Sequence, residues 1–327
     1  MIVILSSLNG RDRLRDMLAA LNKVRLPAGT VIHAVDNGSD DGTLQLLKEF
    51  RARLPLVVYS QPIRGKNHCL NLVLDEIRDG LSPKELIVFT DDDTLPEADW
   101  LEAFQAAADA HPDTAVFAGQ ILPQWPDGEP SHLEPIREHF GILFSLTSAG
   151  EGPVKCAMAW GPNMAVRASV FQSGYRFDGR FGPNGTNRYP MGSETELMER
   201  LDRAGYAAWF VAKASVRHMI RTSQLDHESV LQRAYRHGFG NGWRTQRGGG
   251  LARLAFCQWV ALRGVIGARV RRTLSPKSNP LPHQFHDTWA RGLASGSMLE
   301  YRAARAIRSA IVAEEIETEE VSTELLR

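Results

Sequence analysis

The chain has 327 residues, 43% apolar and 23% charged, which suits a folded protein with a large core and excludes a disordered polymer. Its 38 basic and 38 acidic residues cancel, and no recognised nucleic-acid-binding motif is present, so nucleic acid is not an expected partner. Cys69, Cys156 and Cys257 lie far apart without a CxxC spacing, which argues against a disulfide framework or zinc site and suits a reducing cytoplasm.

The chain opens directly into Ile2-Val3-Ile4-Leu5, with no basic leader or small-residue cleavage site, so no signal peptide is expected. A strand is predicted over Ile2 to Ser6. Leu14, Met17, Leu18 and Leu21 follow at i, i+3, i+4 and i+7, one face of a helix. Next come a strand Val31 to Val35, a helix carrying Leu44, Leu47 and Phe50, and a strand Leu56 to Tyr59. Leu70, Val73, Leu74 and Ile77 mark another helix, Leu86 to Phe89 a buried strand, Trp100, Leu101 and Phe104 a helix, and Ala115 to Ala118 a strand. Such alternation gives a parallel sheet with crossover helices, and ligands in these sheets bind beyond the carboxyl ends of the strands. Polar residues gather there: Ser7-Leu8-Asn9, Asp36-Asn37-Gly38-Ser39, Arg64-Gly65-Lys66-Asn67 and Asp91-Asp92-Asp93.

After Gln120 the alternation is lost, and Pro123, Trp125, Pro126 and Pro130 predict a loop or insertion. A second apolar block begins near Ala157. Gly248-Gly249-Gly250 predicts a flexible separator between the catalytic part and a helical appendage. The charge there is uneven. Twelve Lys and Arg run from Arg217 to Lys277 against only Asp226 and Glu228, whereas Glu314, Glu315, Glu317, Glu319, Glu320 and Glu324 crowd the C-terminus. The best apolar stretch, Leu254 to Val270, is broken by Gln258, Arg263, Gly264, Gly267 and Arg269, so no membrane span is expected.

Three successive carboxylates repel one another, and burying them without a cation costs several kcal/mol. A hard divalent ion, Mg²⁺ or Mn²⁺, held by one or two carboxylates and by substrate phosphate oxygens resolves the conflict. In an extended segment Asp91 and Asp93 share a side and Asp92 takes the other, so the outer pair of this Asp-x-Asp is assigned to ligands. A solvated acidic turn or helix cap before Pro96 is the competing reading. Asp36 stands where a base or ribose can be hydrogen-bonded, although Asn-Gly-Ser turns feeding a helix are common without function. Arg64 and Lys66, just before a helix, suit a diphosphate.

In this order the segments resemble the inverting family 2 glycosyltransferases of the GT-A fold. The matching residues are Leu8-Asn9 with Arg11, Val35 to Ser39, Arg64 to Asn67 with Asn71, Thr90 to Thr94 with Pro96, Gly161 to Arg167, Phe177-Asp178 with Gly182, and Gly192 to Leu197 with Arg200. The resemblance implies an α/β GT-A domain over 1–220, with a mainly parallel central sheet flanked by helices. Its nucleotide-binding half would be 1–120 and its acceptor half 121–220, followed by the helical appendage over 221–327. It also implies donor contacts from Leu8, Asn9, Arg11, Asp36, Asn37, Arg64, Lys66, Asn71, Asp91 and Asp92, with Asp36 on the nucleobase. Asp93, Asp91 and His218 would hold the cation, and Trp160, Asn163 and Glu196 would lie on the acceptor side. The family's Gly-Glu-Asp segment reads Gly192-Ser193-Glu194, so the general base falls on Glu194, with Ser193 replacing the preceding acid. Glu194 and Glu196 are two apart and face different ways on a helix.

The implied reaction moves one sugar from a nucleotide-diphosphate sugar, a UDP-sugar first, to a hydroxyl on a saccharide or lipid-linked acceptor, in polysaccharide or glycoconjugate synthesis. Single-sugar transfer is expected because the QxxRW segment of processive relatives is absent; the nearest candidate is Gln232-Arg233-Ala234-Tyr235-Arg236. Acceptor choice is expected from Trp160 to Met164, the Phe181 to Met191 loop and Pro123 to Lys155. Phe239, Trp243, Phe256 and Trp259, interleaved with arginines over 233–272, suit peripheral contact with the inner face of a membrane, packing on the catalytic domain, or a dimer. Two rivals remain: a nucleotidyltransferase, which would carry a Gly-rich phosphate loop where only Gly10 stands, and a non-catalytic binding or scaffold protein.

Overall fold

The strands form where β-branched and aromatic residues run continuously, because both faces of the sheet are covered. In the computed structural model, which describes residues 1–186 and 189–324 and side chains as far as 307, β1 (Ile2–Ser7) pairs in parallel with β2 (Val31–Asp36) and β4 (Leu86–Thr90). β2 pairs in parallel with β3 (Leu56–Ser60). The crossovers contain the helices α1 (Arg11–Leu21), α2 (Thr43–Phe50) and α3 (Lys66–Glu76). The two faces of β1 feed different cores. Val3 and Leu5 pack with Leu14, Met17, Leu18 and Leu21 of α1, while Ile2 and Ile4 pack with Cys69, Leu70, Val73 and Leu74 of α3. Each such buried aliphatic side chain contributes roughly 1.5–3 kcal/mol of transfer free energy, so the register is fixed from both sides.

Beyond β4 the sheet becomes mixed. Further elements of this unit are β5 (Thr94–Pro96), α4 (Trp100–Ala110), β6 (Val116–Gln124), α5 (Phe140–Phe144), β7 (Gly152–Val154), β8 (Asn163–Arg167), α6 (Ala168–Gln172), α7 (Ser193–Arg203) and β9 (Ala208–Met219). β8 lies antiparallel between β4 and β6, β9 runs parallel to β6, and β5 and β7 are antiparallel to β9. The strand order is β3-β2-β1-β4-β8-β6-β9-β5. This is the GT-A arrangement. β6 continues through Pro123 to Gln124, past the point where the proline-rich sequence predicts a loop. Its pairing with β8 stops at Ala118 while that with β9 continues, so the missing proline N–H interrupts no pairing with β8.

The chain divides into Met1–Ser229 and Val230–Arg327 rather than at the glycine triplet. Those glycines join α8 (His227–Gln246) to α9 (Leu251–Leu274), and the side-chain amide of Gln246 donates to the carbonyls of Gly249 and Gly250. α10 (Leu281–Glu324) completes the second unit; the acidic side chains over 314–324 lie outside the described ones. α8 and α10 meet through Gly238 and Gly242 on one helix and Gly292 and Gly296 on the other. A methyl group at any of these positions would strike the backbone of the facing helix. α9 is long and apolar enough to cross a membrane by length and composition, and 22% of its most apolar stretch is buried. The residues expected to break this stretch interrupt its hydropathy without ending the helix.

Candidate active site

β4 ends at Thr90, and Asp91-Asp92-Asp93 turns the chain out of that strand toward β5. The Thr94 hydroxyl donates to the Asp91 carbonyl at 2.9 Å and closes the turn. Because the segment is a turn and not extended, the three carboxylates reach three different sets of partners. Asp92 accepts from Arg13 Nε at 2.8 Å and from the Ser7 hydroxyl. It is 7% exposed and fixed by the scaffold, not open to donor as the resemblance implies. Burial and the Asp93 charge push its carboxyl up to about 6 against the opposing pull of Arg13 and Ser7.

Asp93 faces His218, Oδ1 to Nε2, at 3.2 Å. The antiparallel register of β5 on β9 sets Thr94 opposite His218, and Met219 N–H donates to the Asp93 carbonyl. Sequence separation hides this contact; pairing creates it. Burial opposes ionisation of Asp93, but His218 and the guanidinium groups of Arg13 and Arg221 outweigh it and hold the carboxyl well below the usual range. Burial likewise lowers the His218 pKa, and Asp93 reverses that and raises it overall. His218 Nδ1 lies 2.6 Å from the Phe144 carbonyl, which can only accept, so Nδ1 carries a proton. The neutral tautomer therefore leaves the Nε2 lone pair beside Asp93, as in metal-bound histidines oriented by a second hydrogen bond. Asp93 and His218 fit a divalent cation that also takes phosphate oxygens.

Asp91 turns toward a different group. Lys66 Nζ, at the first residue of α3, lies 2.5 Å from Asp91 Oδ1 and 2.6 Å from Glu194 Oε1. Glu194 stands in the first turn of α7 behind Gly192, whose φ of 99° suits glycine. One buried ammonium thus bridges a carboxylate of the acidic turn and the expected base. Burial disfavours every one of these charges. Lys66 outweighs that for Glu194 and lowers its pKa, and the two carboxylates in turn raise that of Lys66. For Asp91, burial with the Asp93 and Glu194 charges outweighs Lys66, and its pKa is raised. Gly161 completes the group: a methyl there would overlap the Glu194 carboxylate and sit 2.8 Å from Lys66 Nζ.

On the donor side, Asp36 ends β2 opposite Ser7 and is 2% exposed. Its Oδ2 accepts from Ser39 N–H at 3.3 Å, while the buried Oδ1 has no hydrogen-bond partner. An orphaned buried acceptor costs about 1–3 kcal/mol, and an incoming N–H or hydroxyl would satisfy it. Leu8 is half-buried and Arg64 exposed, both alongside Gly185. Arg11 is exposed, its side chain near Gly42 and its N–H bonded to Asp41.

Other expected site residues are committed to the scaffold. Asn37 donates to the Gln61 and Ile63 carbonyls and accepts from Gly65 N–H, pinning the loop that delivers Lys66. Asn9, at φ 47°, accepts from Asp40 N–H and holds the turn after β2. Asn71 makes a two-way bond with the Phe177 backbone. Asn163 is fully buried, accepts from Trp100 Nε1 and donates to the Gln120 and Ala214 carbonyls, so its amide has nothing left for an acceptor. Glu196 is 3% exposed and held by Arg200. Trp160 alone of the expected acceptor residues stays partly exposed, its indole N–H on the Ala157 carbonyl. Roles for Ser7, Arg13 and Gly161 do not follow from the sequence pattern. Nothing in the spacing of Arg11, Arg13 and Arg15 tells which one turns toward a carboxylate 79 residues away.

The family model described as Glycosyl transferase family 2 matches residues 2–174. The chain is 30% identical over 118 residues to the uncharacterized glycosyltransferase YfnE of Bacillus subtilis (strain 168), 36% of this chain and 29% of that protein, so it spans under a third of that relative. Among solved structures it is similar to the mannosyltransferase PcManGT from Pyrobaculum calidifontis in complex with GDP-Man and Mn2+. That likeness has a TM-score of 0.52 at 17% identity and covers 96% of this chain and 80% of that one. It is also similar to S. aureus TarS 1-349 in complex with UDP, with a TM-score of 0.50 at 15% identity over 93% and 91% of the two chains. At these identities the structural likeness is one of fold.

Proposed function

The chain belongs to glycosyl transferase family 2, and from that premise we propose that it moves one sugar from a nucleotide-diphosphate sugar to an acceptor hydroxyl, with inversion and with a divalent cation. The observation that carries this reading is the convergence at the end of β4 of Asp93 with His218 and of Lys66 with Glu194. Fold relatives of similar architecture bind UDP in one case and GDP-Man with Mn2+ in the other, which supports a nucleoside diphosphate leaving group. We favour a UDP-sugar, with the base N–H on the orphaned Asp36 oxygen.

The chemistry divides among the side chains. Glu194, held ionised by Lys66, takes the proton of the acceptor hydroxyl as that oxygen attacks the anomeric carbon. Attack opposite the leaving group breaks the bond to the diphosphate oxygen in one displacement, so the anomeric centre inverts. Lys66 sets positive charge beside the carboxylates and the departing diphosphate. Asp93 and His218 Nε2 would hold the cation, which when bound neutralises charge developing on that diphosphate. Trp160 offers an apolar ring face to a saccharide. The acceptor is proposed to be a saccharide or a lipid-linked saccharide of polysaccharide or glycoconjugate synthesis. Three free, buried cysteines suit action in the cytoplasm.

Nucleotide release from UDP- and GDP-sugars, measured with Mn²⁺, with Mg²⁺ and with chelator, tests the reading. Cation-dependent release with at least one donor is expected. Absence of release with every donor would favour a non-catalytic binding protein on the same fold.

A further inference from the structure

α9 presents two unlike faces. Leu254, Cys257, Ala261 and Ala268 are buried, and the Gln258 amide donates to the Ala294 carbonyl and the Ser297 hydroxyl of α10, which fixes the rotation of the helix. On the other face Phe256, Trp259, Leu262, Ile266, Val270 and Leu274 follow one another at three- and four-residue spacings, and each is 49% to 77% exposed. From Phe256 to Leu274 this makes a continuous apolar stripe about 27 Å long. A stripe of this extent on water marks a binding surface.

The charges identify what it meets. α9 carries Arg253, Arg263, Arg269, Arg271 and Arg272 and no acidic residue. Arg263 lies over the Trp259 ring at 4.6 Å, so the cation and the indole share one edge of the stripe. A second copy joined face to face would bring ten arginines together without a carboxylate from either α9, since a two-fold contact presents the same patch twice. An anionic lipid surface complements both features, with acyl chains against the stripe and headgroups against the guanidinium groups. The region expected to meet a membrane, 233–272, narrows accordingly. Phe239 and Trp243 of α8 are half-buried with ring centroids 5.9 Å apart, whereas the aromatic and aliphatic side chains of the α9 stripe are exposed.

We propose that α9 is a membrane-docking helix that lies in the interfacial layer of an anionic bilayer through its Phe256 to Leu274 stripe. It lies and does not span, because its other face is already packed against α10. This stands on the second unit alone and does not depend on the sugar-transfer reading.

Co-sedimentation of the full chain with phosphatidylcholine vesicles, with and without about 30 mol% phosphatidylglycerol, tests it, since each basic residue near an anionic surface strengthens attachment severalfold. Binding to the anionic vesicles is expected, at least about tenfold weaker on the neutral ones. The triple variant F256S/W259S/I266S should lose it with an unchanged melting temperature, and R271E/R272E should weaken it while keeping the stripe intact. Equal binding to both vesicle types, no binding to either, or binding retained by the triple variant would overturn the proposal. So would a wild-type dimer in light scattering that the triple variant converts to monomer, because a second copy would then cover the stripe.

Discussion

At the scale of single residues, the site is organised by charges that burial would forbid singly. Lys66 is 13% exposed and offsets both Asp91 and Glu194. Replacing it with Met strands two carboxylates, and breaking a buried ion pair in this way costs about 3–5 kcal/mol. K66M is expected to lower the free energy of unfolding, measured by denaturant titration, by that amount. It should also move the acid limb of the kcat–pH profile upward, because Lys66 is what lowers the Glu194 pKa. His218 gives a second pH effect. Its folded pKa is raised above the ordinary 6.5, so the charged pair with Asp93 stabilises the fold below 6.5 and that contribution fades as pH rises through the raised value. A cation needs the neutral Nε2, so Mn²⁺ affinity should increase with pH and binding should release protons. Calorimetry in buffers of different ionisation enthalpy measures that release. Gly161 supplies the steric counterpart: G161A would press a methyl into the Glu194 carboxylate, and misplacement on the order of 1 Å costs about 10² in rate. A fall in kcat with little change in donor affinity is expected.

At the scale of elements, the strands and helices from Ile2 to Phe89 were legible because each strand is an apolar run and each helix repeats at 3.6 residues. The polar residues after those strands could be read as a site on the same basis. What was hidden depends on pairing between distant segments. β5 is three residues long, too short for any periodicity, yet its register on β9 is what sets His218 beside Asp93. β6 ran on through Pro123 because a proline tells against a strand only where its N–H is needed. Asn37, Asn71, Asn163 and Glu196 have the residue types of binding groups, but their direction is decided by backbone partners that composition cannot show. The glycines of α8 and α10 belong with the hidden features, since which backbone each one faces is set by pairing between distant helices. G238A or G242A would drive a methyl against the Trp289 or Leu293 carbonyl, and such overpacking costs roughly 1–3 kcal/mol. Thermal unfolding of these variants should fall while UDP binding by the first unit is unchanged.

At the scale of the whole molecule, a neutral net charge conceals a divided chain. The first unit carries the acidic turn and the orphaned Asp36 oxygen, and the second carries the basic, apolar face of α9. Ligand linkage separates the donor claim from the chemistry. UDP at about 100 times its Kd should stabilise the protein by about 2.7 kcal/mol, with much of that gain requiring Mn²⁺ and lost in D93N. The division of labour between cation binding and proton removal then rests on one side chain. Turnover of E194Q, with the Mn²⁺-dependent UDP thermal shift recorded on the same sample, tests it most directly. A drop of about 10² to 10⁴ in kcat with an unchanged shift is expected for the loss of a general base, whereas near-normal turnover would contradict the assignment of Glu194.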